Sequence, residues 1–191
     1  MKPVSIIALA AVFIVSVSWS KPYKQRHVQY RGIDVSLQLN DDYSDTPHQH
    51  KLSVGASRHT IFTYAHRYDT AKHVAIDFAD NSLWKFATNN APYPTLETLE
   101  HILTISNMDN PKANVEEKRE YLWIDSVRYL FHRSSTAGIP GRRTNTITTI
   151  PDSTCLINIT HEDGNYNAAT DSAAANQMID SLVQSVRIIR K

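Results

Sequence analysis

Period-two alternation of apolar residues is the feature that most narrows what this chain can become. In IDVSLQL, Ile33, Val35, Leu37 and Leu39 fall on one parity; in HVAIDFA, Val74, Ile76 and Phe78 do; and in STCLINIT, Cys155, Ile157 and Ile159 do. Alternate residues of an extended chain point to the same side, so each run predicts a strand with one buried face. Helical spacing is clear in two places. PTLETLEHILTIS carries Leu96, Leu99, Ile102 and Leu103 behind Thr95 as N-cap. The segment from Ser172 to Val186 carries Ala175, Met178, Ile179, Leu182, Val183 and Val186, with Asp171 or Ser172 as cap.

The remaining segments fill in the order. HVQY before Gly32 predicts a first strand, and KLSVGA and HTIFTYAH predict two more, separated by a turn at Ser57 and Arg58. Between Asp80 and Pro94, asparagine pairs and Pro92 flank a short apolar piece at Leu83, Trp84 and Phe86. After the first helix, EYLWIDSVRYLFHRSST reads as extended chain. A loop from Ala137 to Arg143 leads to the strand RTNTITTI, and a turn with Pro151 and Asp152 leads to STCLINIT. The predicted fold class is α+β: a mostly antiparallel β-sheet covered by helices, with a C-terminal helix.

Residues 1 to 20 look like a signal peptide, with Lys2 ahead of the apolar run PVSIIALAAVFIVSV and the small residues Ser18 and Ser20 before a cut. The expectation is cleavage after Ser20 and a single α+β domain over residues 21 to 191, periplasmic or secreted, with no stable membrane anchor after processing. No cysteine follows the apolar run, which argues against a lipid anchor. Cys155 is the sole cysteine, so no intrachain disulfide can form and packing must hold the fold. Its place on an alternating strand marks it as a buried thiol rather than a nucleophile.

Loss of Lys2 lowers the basic count from 20 to 19, equal to the 19 acids. A neutral chain carries no broad basic footprint for nucleic acid or an anionic membrane. Arg142 and Arg143, in GIPGRRTN, read as solvated loop residues. The sequence has no G-x-S-x-G elbow, H-E-x-x-H pair or G-x-x-x-x-G-K loop, and only 5 glycines with which to cradle a phosphate. The expectation is a non-enzymatic protein without cofactor; a hydrolase with a site scattered in sequence is a third possibility, since a triad assembles in space.

The densest group of potential ligands is DDYSDTPHQH, where Asp41, Asp42 and Asp45 precede His48 and His50. His48 and His50 would share one side of an extended chain, and Asp45 could complete a zinc or copper site. The competing view is a polar loop, because asparagine, aspartate, serine and proline favour turns for backbone reasons alone. Among the tyrosines, Tyr43, Tyr93 and Tyr166 lie in predicted loops and are the candidate anchors for a protein partner. Glu116 and Glu117 begin a charge-dense run that is either a solvated stretch or a partner-facing patch.

The C-terminal half, YLWIDSVRYLFHRSS followed by paired strands and then AANQMIDSLVQSVRII, resembles the PsbP-like and DcrB-like families. In those families a hydrophobic-Asp-Gly turn leads into a meander and the last helix runs into a short strand or tail. Here Ile124-Asp125-Ser126 and Ser185-Val186-Arg187 stand at those places, without the glycine and the phenylalanine. The resemblance implies an antiparallel sheet packed with helices and a binding or accessory role, and it transfers no site residue. The expected function is an exported binding protein for a protein partner, in one version an immunity protein that neutralises a secreted toxin; the alternative is a periplasmic metal-binding protein.

Overall fold

The computed structural model describes residues 22–54, 57–80, 95–109, 115–136, 141–152 and 155–190. The apolar segment of residues 1 to 20, the piece around Trp84 and Tyr93 lie outside them. The order is β1 (Tyr23–Tyr30), β2 (Ile33–Asn40), β3 (His48–Val54), β4 (Ser57–Ala65), β5 (Lys72–Asp80), α1 (Leu96–Asp109), β6 (Val115–Ile124), β7 (Val127–Thr136), β8 (Gly141–Asp152), β9 (Cys155–Tyr166), α2 (Ala168–Ser185) and β10 (Arg187–Arg190).

The strands form two antiparallel sheets. A seven-stranded sheet runs β3-β4-β5-β9-β8-β7-β6, and a three-stranded one runs β1-β2-β10. The insertion of β9 beside β5 brings the two halves of the chain together, with Ile76 opposite Ile159. Antiparallel strands and a C-terminal helix are as expected, but the helices cover only part of the sheet. Much of one face is closed by the small sheet, which contributes Val35, Leu37 and Leu39 to a core shared with Ile76, Ile157, Ile159 and, from α2, Ile179 and Leu182. Helix α1 closes part of the opposite face, where Leu96 and Leu99 join Leu130 and Leu156.

The alternating runs place their apolar parity inward as expected. Several boundaries move. Ser57 and Arg58 pair with Val54 and Ser53, so they belong to β4 and not to a turn. The extended stretch after α1 is a hairpin whose turn, at Asp125 and Ser126, stands where the family resemblance put it, both residues with positive φ of 48° and 66°. Two successive left-handed residues form the tight hairpin connection whose twist matches that of the strands. Pro151 and Asp152 end β8 rather than forming a turn, and Asp152 pairs with Cys155. Helix α2 starts at Ala168, ahead of the expected Ser172. Asp171 serves its first turn instead of preceding it, accepting from the Asn167 backbone N–H at 2.8 Å. Thr95 caps α1 as expected, its Oγ1 accepting from the Thr98 N–H at 3.2 Å.

Candidate functional site: a buried polar array under the C-terminal helix

The inward face of the large sheet is apolar for part of its length and then becomes polar without changing parity. Along β9 it reads Cys155, Ile157, Ile159, His161, Asp163; on β8 it reads Ile147, Asn145, Arg143. Pairing aligns these residues into rungs. Asn145 stands opposite His161, and Arg143 opposite Asp163. Lys72 of β5 flanks Asp163, and Arg133 of β7 flanks Asn145. Arg143 (5%), Asn145 (1%), His161 (4%) and Asp163 (4%) are almost wholly withdrawn from solvent.

Burial of charge is tolerated where partners replace water. Asp163 lies 3.4 Å from the Lys72 ammonium, which also meets Asp69 at 3.5 Å. Burial opposes the charged form of Lys72, but Asp163 and Asp69 outweigh it and raise its pKa. Arg143 donates to Tyr166 Oη at 3.0 Å and to Asn176 of α2 at 3.3 Å, and it pairs with Glu117 at 3.1 Å. Its guanidinium also lies 4.7 Å from the centre of the Tyr166 ring. Arg133 donates to Asn145 Oδ1 at 2.8 Å.

His161 Nε2 is hydrogen bonded to Tyr43 Oη at 3.1 Å. Burial first, then the nearby charges of His73, Lys72 and Arg143, pull the imidazole pKa down to about 4. Burial, followed by Asp163 and Asp42, pushes the Tyr43 phenol well above its ordinary value. Both groups are therefore neutral at neutral pH. Three nitrogens of the array, His161 Nδ1, Asn145 Nδ2 and Arg143 Nε, have no hydrogen-bond partner among the described residues. A cavity of about 180 Å³ opens beside His161, lined also by Tyr43, His66, Lys72, Asp163 and Asp171.

The residues singled out from the sequence separate. Tyr43 is 3% exposed, so it is an internal anchor and not a surface one. Tyr166 and Glu117 meet on Arg143, whereas Glu116 turns to Arg119 and to His132 Nε2 at 3.4 Å. A bulge between Glu116 and Lys118 separates the two glutamates. Arg142 and Arg143 are strand residues, the first paired with Glu162 and the second buried, so neither is a free loop cation.

The acids before His48 are drawn to different cations. Asp41 meets Lys24 at 2.8 Å, and Asp45 bridges Arg26 at 2.9 Å and Arg67 at 2.5 Å. The Arg67 hydrogen bond holds the Asp45 carboxyl below the usual range. His48 and His50 lie on one side of β3, both exposed, with ring centres 6.1 Å apart. Among the described residues no three histidine, cysteine, aspartate or glutamate side chains converge as a metal site.

Cys155 is buried, with its Sγ 3.6 Å from the Leu156 carbonyl oxygen. The polar array itself was missed from sequence, although its signal is present: His161, Asp163, Asn145 and Arg143 continue the parity of buried isoleucines.

No protein-family model matches the chain, and no curated protein matches it. Solved structures do. Cyanobacterial PsbP (CyanoP) from Synechocystis sp. PCC 6803 is similar with a TM-score of 0.51 and 8% identity, over 93% of this chain and 99% of that one. The Ran-binding protein Mog1p of Saccharomyces cerevisiae is similar with a TM-score of 0.50 and 8% identity, over 88% of this chain and 96% of that one. At such identities the likeness concerns the fold alone: this chain has a PsbP/Mog1-like fold.

Proposed function

We propose that this chain is an exported, non-enzymatic binding or accessory protein that works by contact with a protein partner. The observation that carries the proposal is the fold, shared over most of the chain with a protein described as Ran-binding. Burial supports it. The ionisable groups suited to chemistry are inside, with His161 held by Tyr43, Asp163 by Lys72 and Arg143 by Glu117, whereas Trp123 is 69% exposed and Ile189 59%. Exposed aromatic and aliphatic side chains are common anchors of protein interfaces.

In the finer form of the proposal, residues 1 to 20 direct export, cleavage follows Ser20, and the partner is a secreted toxin neutralised by occupation of its working surface. The alternative, a periplasmic metal-binding protein, has the adjacent rings of His48 and His50 in its favour. One experiment separates them: affinity capture from the host's envelope and secreted fractions, with elemental analysis of the eluate and mass determination of the recovered N-terminus. A stoichiometric protein partner, a chain starting at Lys21 and no retained metal is the expected result. Zinc or copper retained without a protein partner, and lost on substitution of His48 and His50 by alanine, would overturn it.

A further inference from the structure

We propose that the cleft between the β1–β2 turn and the β3–β4 hairpin receives an acidic segment of the protein partner. This rests on the binding function above and names the chemistry of its contact. The cleft, of about 340 Å³, is lined by Tyr30, Arg31, Lys51, Leu52, Ser53, Arg58, His59 and Thr60. Every ionisable side chain in that lining is a cation or a histidine apart from the Tyr30 phenol, and none is a carboxylate.

Elsewhere most of the described cations meet a carboxylate. Lys24 pairs with Asp41, Arg67 with Asp45, Arg142 with Glu162 and Arg187 with Asp125. Arg31, Lys51 and Arg58 have no ion pair among the described residues, and three such charges from separate elements border one cleft in a chain with nearly equal numbers of acids and bases. The nearby carboxylate of Asp77 is occupied by His59 Nδ1 at 2.9 Å. Arg31 is held there in a left-handed conformation, φ 49°, that ordinarily disfavours a side chain. It also lies against Tyr30, its guanidinium carbon 5.2 Å from the ring centre.

Isolated surface cations are ordinarily just solvated. Their clustering around a concavity, without an acid to neutralise them, focuses a positive potential that favours a complementary anionic surface. An extended acidic segment fits better than one small anion, because the cations border an open cleft from exposed positions rather than closing on a single point. The half-exposed Leu52 adds an apolar contact of the kind a peptide uses.

The test is amide chemical-shift titration of the full-length chain with a glutamate decamer, a glutamine decamer and inorganic phosphate. The glutamate peptide is expected to shift Arg31, Lys51, Ser53 and Arg58 saturably, the glutamine peptide not at all, and rising salt to weaken the effect. An Arg31→Gln, Lys51→Gln, Arg58→Gln variant is expected to lose affinity by about tenfold or more, with its remaining amide spectrum unchanged as evidence of folding. Shifts spread equally around Lys24 or Arg142, or unchanged affinity in the variant, would overturn the proposal. Phosphate binding as tightly as the peptide would overturn it in favour of a small anion. Capture of the same partner by wild type and variant in equal yield overturns the cleft assignment and leaves the binding function standing. No captured partner, with the decamer still mapping to the cleft, overturns the binding function and leaves the acid-binding cleft.

Discussion

Tyr43 and His161, 118 residues apart in the chain, meet through a buried hydrogen bond of 3.1 Å between phenol and imidazole. This bond fastens the segment between β2 and β3 to the centre of the large sheet. His161 Nδ1 already lacks a partner among the described residues, so loss of the phenol would strand the second ring nitrogen. Tyr43→Phe is therefore expected to destabilise the fold by about 1–3 kcal/mol, read as a lower urea midpoint at unchanged slope. An unchanged midpoint would mean that water satisfies the imidazole without Tyr43.

The same histidine sets an acid sensitivity. Its folded pKa of about 4 lies below the unfolded value near 6.5, so the unfolded chain binds a proton first as pH falls. The sign is thus destabilising on acidification: the contribution is complete above pH 6.5, declines between 6.5 and 4, and is gone below 4. The loss from this one group approaches about 3 kcal/mol. Urea unfolding of His161→Leu against wild type is expected to show a shallower decline across that interval, even if the variant is less stable at pH 7. Parallel curves would assign the acid sensitivity elsewhere.

Arg142 and Arg143 are neighbours in sequence with opposite environments, and their replacement separates the two. Arg143→Met leaves Glu117 without its cation and takes a donor from Tyr166 and Asn176. A loss of about 2 kcal/mol is expected, less than for a fully buried pair because Glu117 retains some solvent. Arg142→Met breaks only an exposed pair with Glu162 and is expected to cost under about 0.5 kcal/mol. Equal effects in thermal or urea unfolding would contradict the burial difference.

At the β6–β7 turn, Ser126 holds a φ of 66° and follows Asp125 at 48°. Glycine adopts this conformation without the clash that a β-carbon suffers, and Asp-Gly is a preferred pair for such a turn. Ser126→Gly is expected to stabilise the chain by about 1 kcal/mol, seen as a melting temperature higher by roughly 2–4 °C. A lower melting temperature would show that the serine makes a compensating contact.

The strands were legible where one parity is apolar, because a half-buried strand writes its geometry into the sequence. Val74, Ile76 and Phe78 announce β5 in this way. The polar array was harder to see because burial was equated with hydrophobicity. Arg143 follows Gly138, Pro140 and Gly141 and so looked like a loop residue, yet strand pairing begins at Gly141. What identifies Arg143, Asn145, His161 and Asp163 is parity shared with isoleucines, a signal that becomes decisive only once β8 and β9 are known to pair. The closure of one face by a second sheet was also hidden, since it depends on the long-range pairing of β10 with β2.

Leu156 shows the limit of single-face logic most directly. Alternation along β9 assigned Cys155, Ile157 and Ile159 to the core and left Leu156 on the opposite parity, where a half-buried strand would show it to water. The structure buries it to 2% exposure because α1 crosses that face and brings Leu96 and Leu99 against it, with Leu130 from the sheet. Truncation would therefore leave a cavity in a second core rather than trim the surface. Leu156→Ala is expected to destabilise by about 2–4 kcal/mol. Amide exchange should quicken in α1 before it quickens in β2 or α2, since the helix loses part of its apolar seat while the larger core remains. A cost below about 0.5 kcal/mol, the range of an exposed position, would mean that α1 does not hold its place on the sheet in solution.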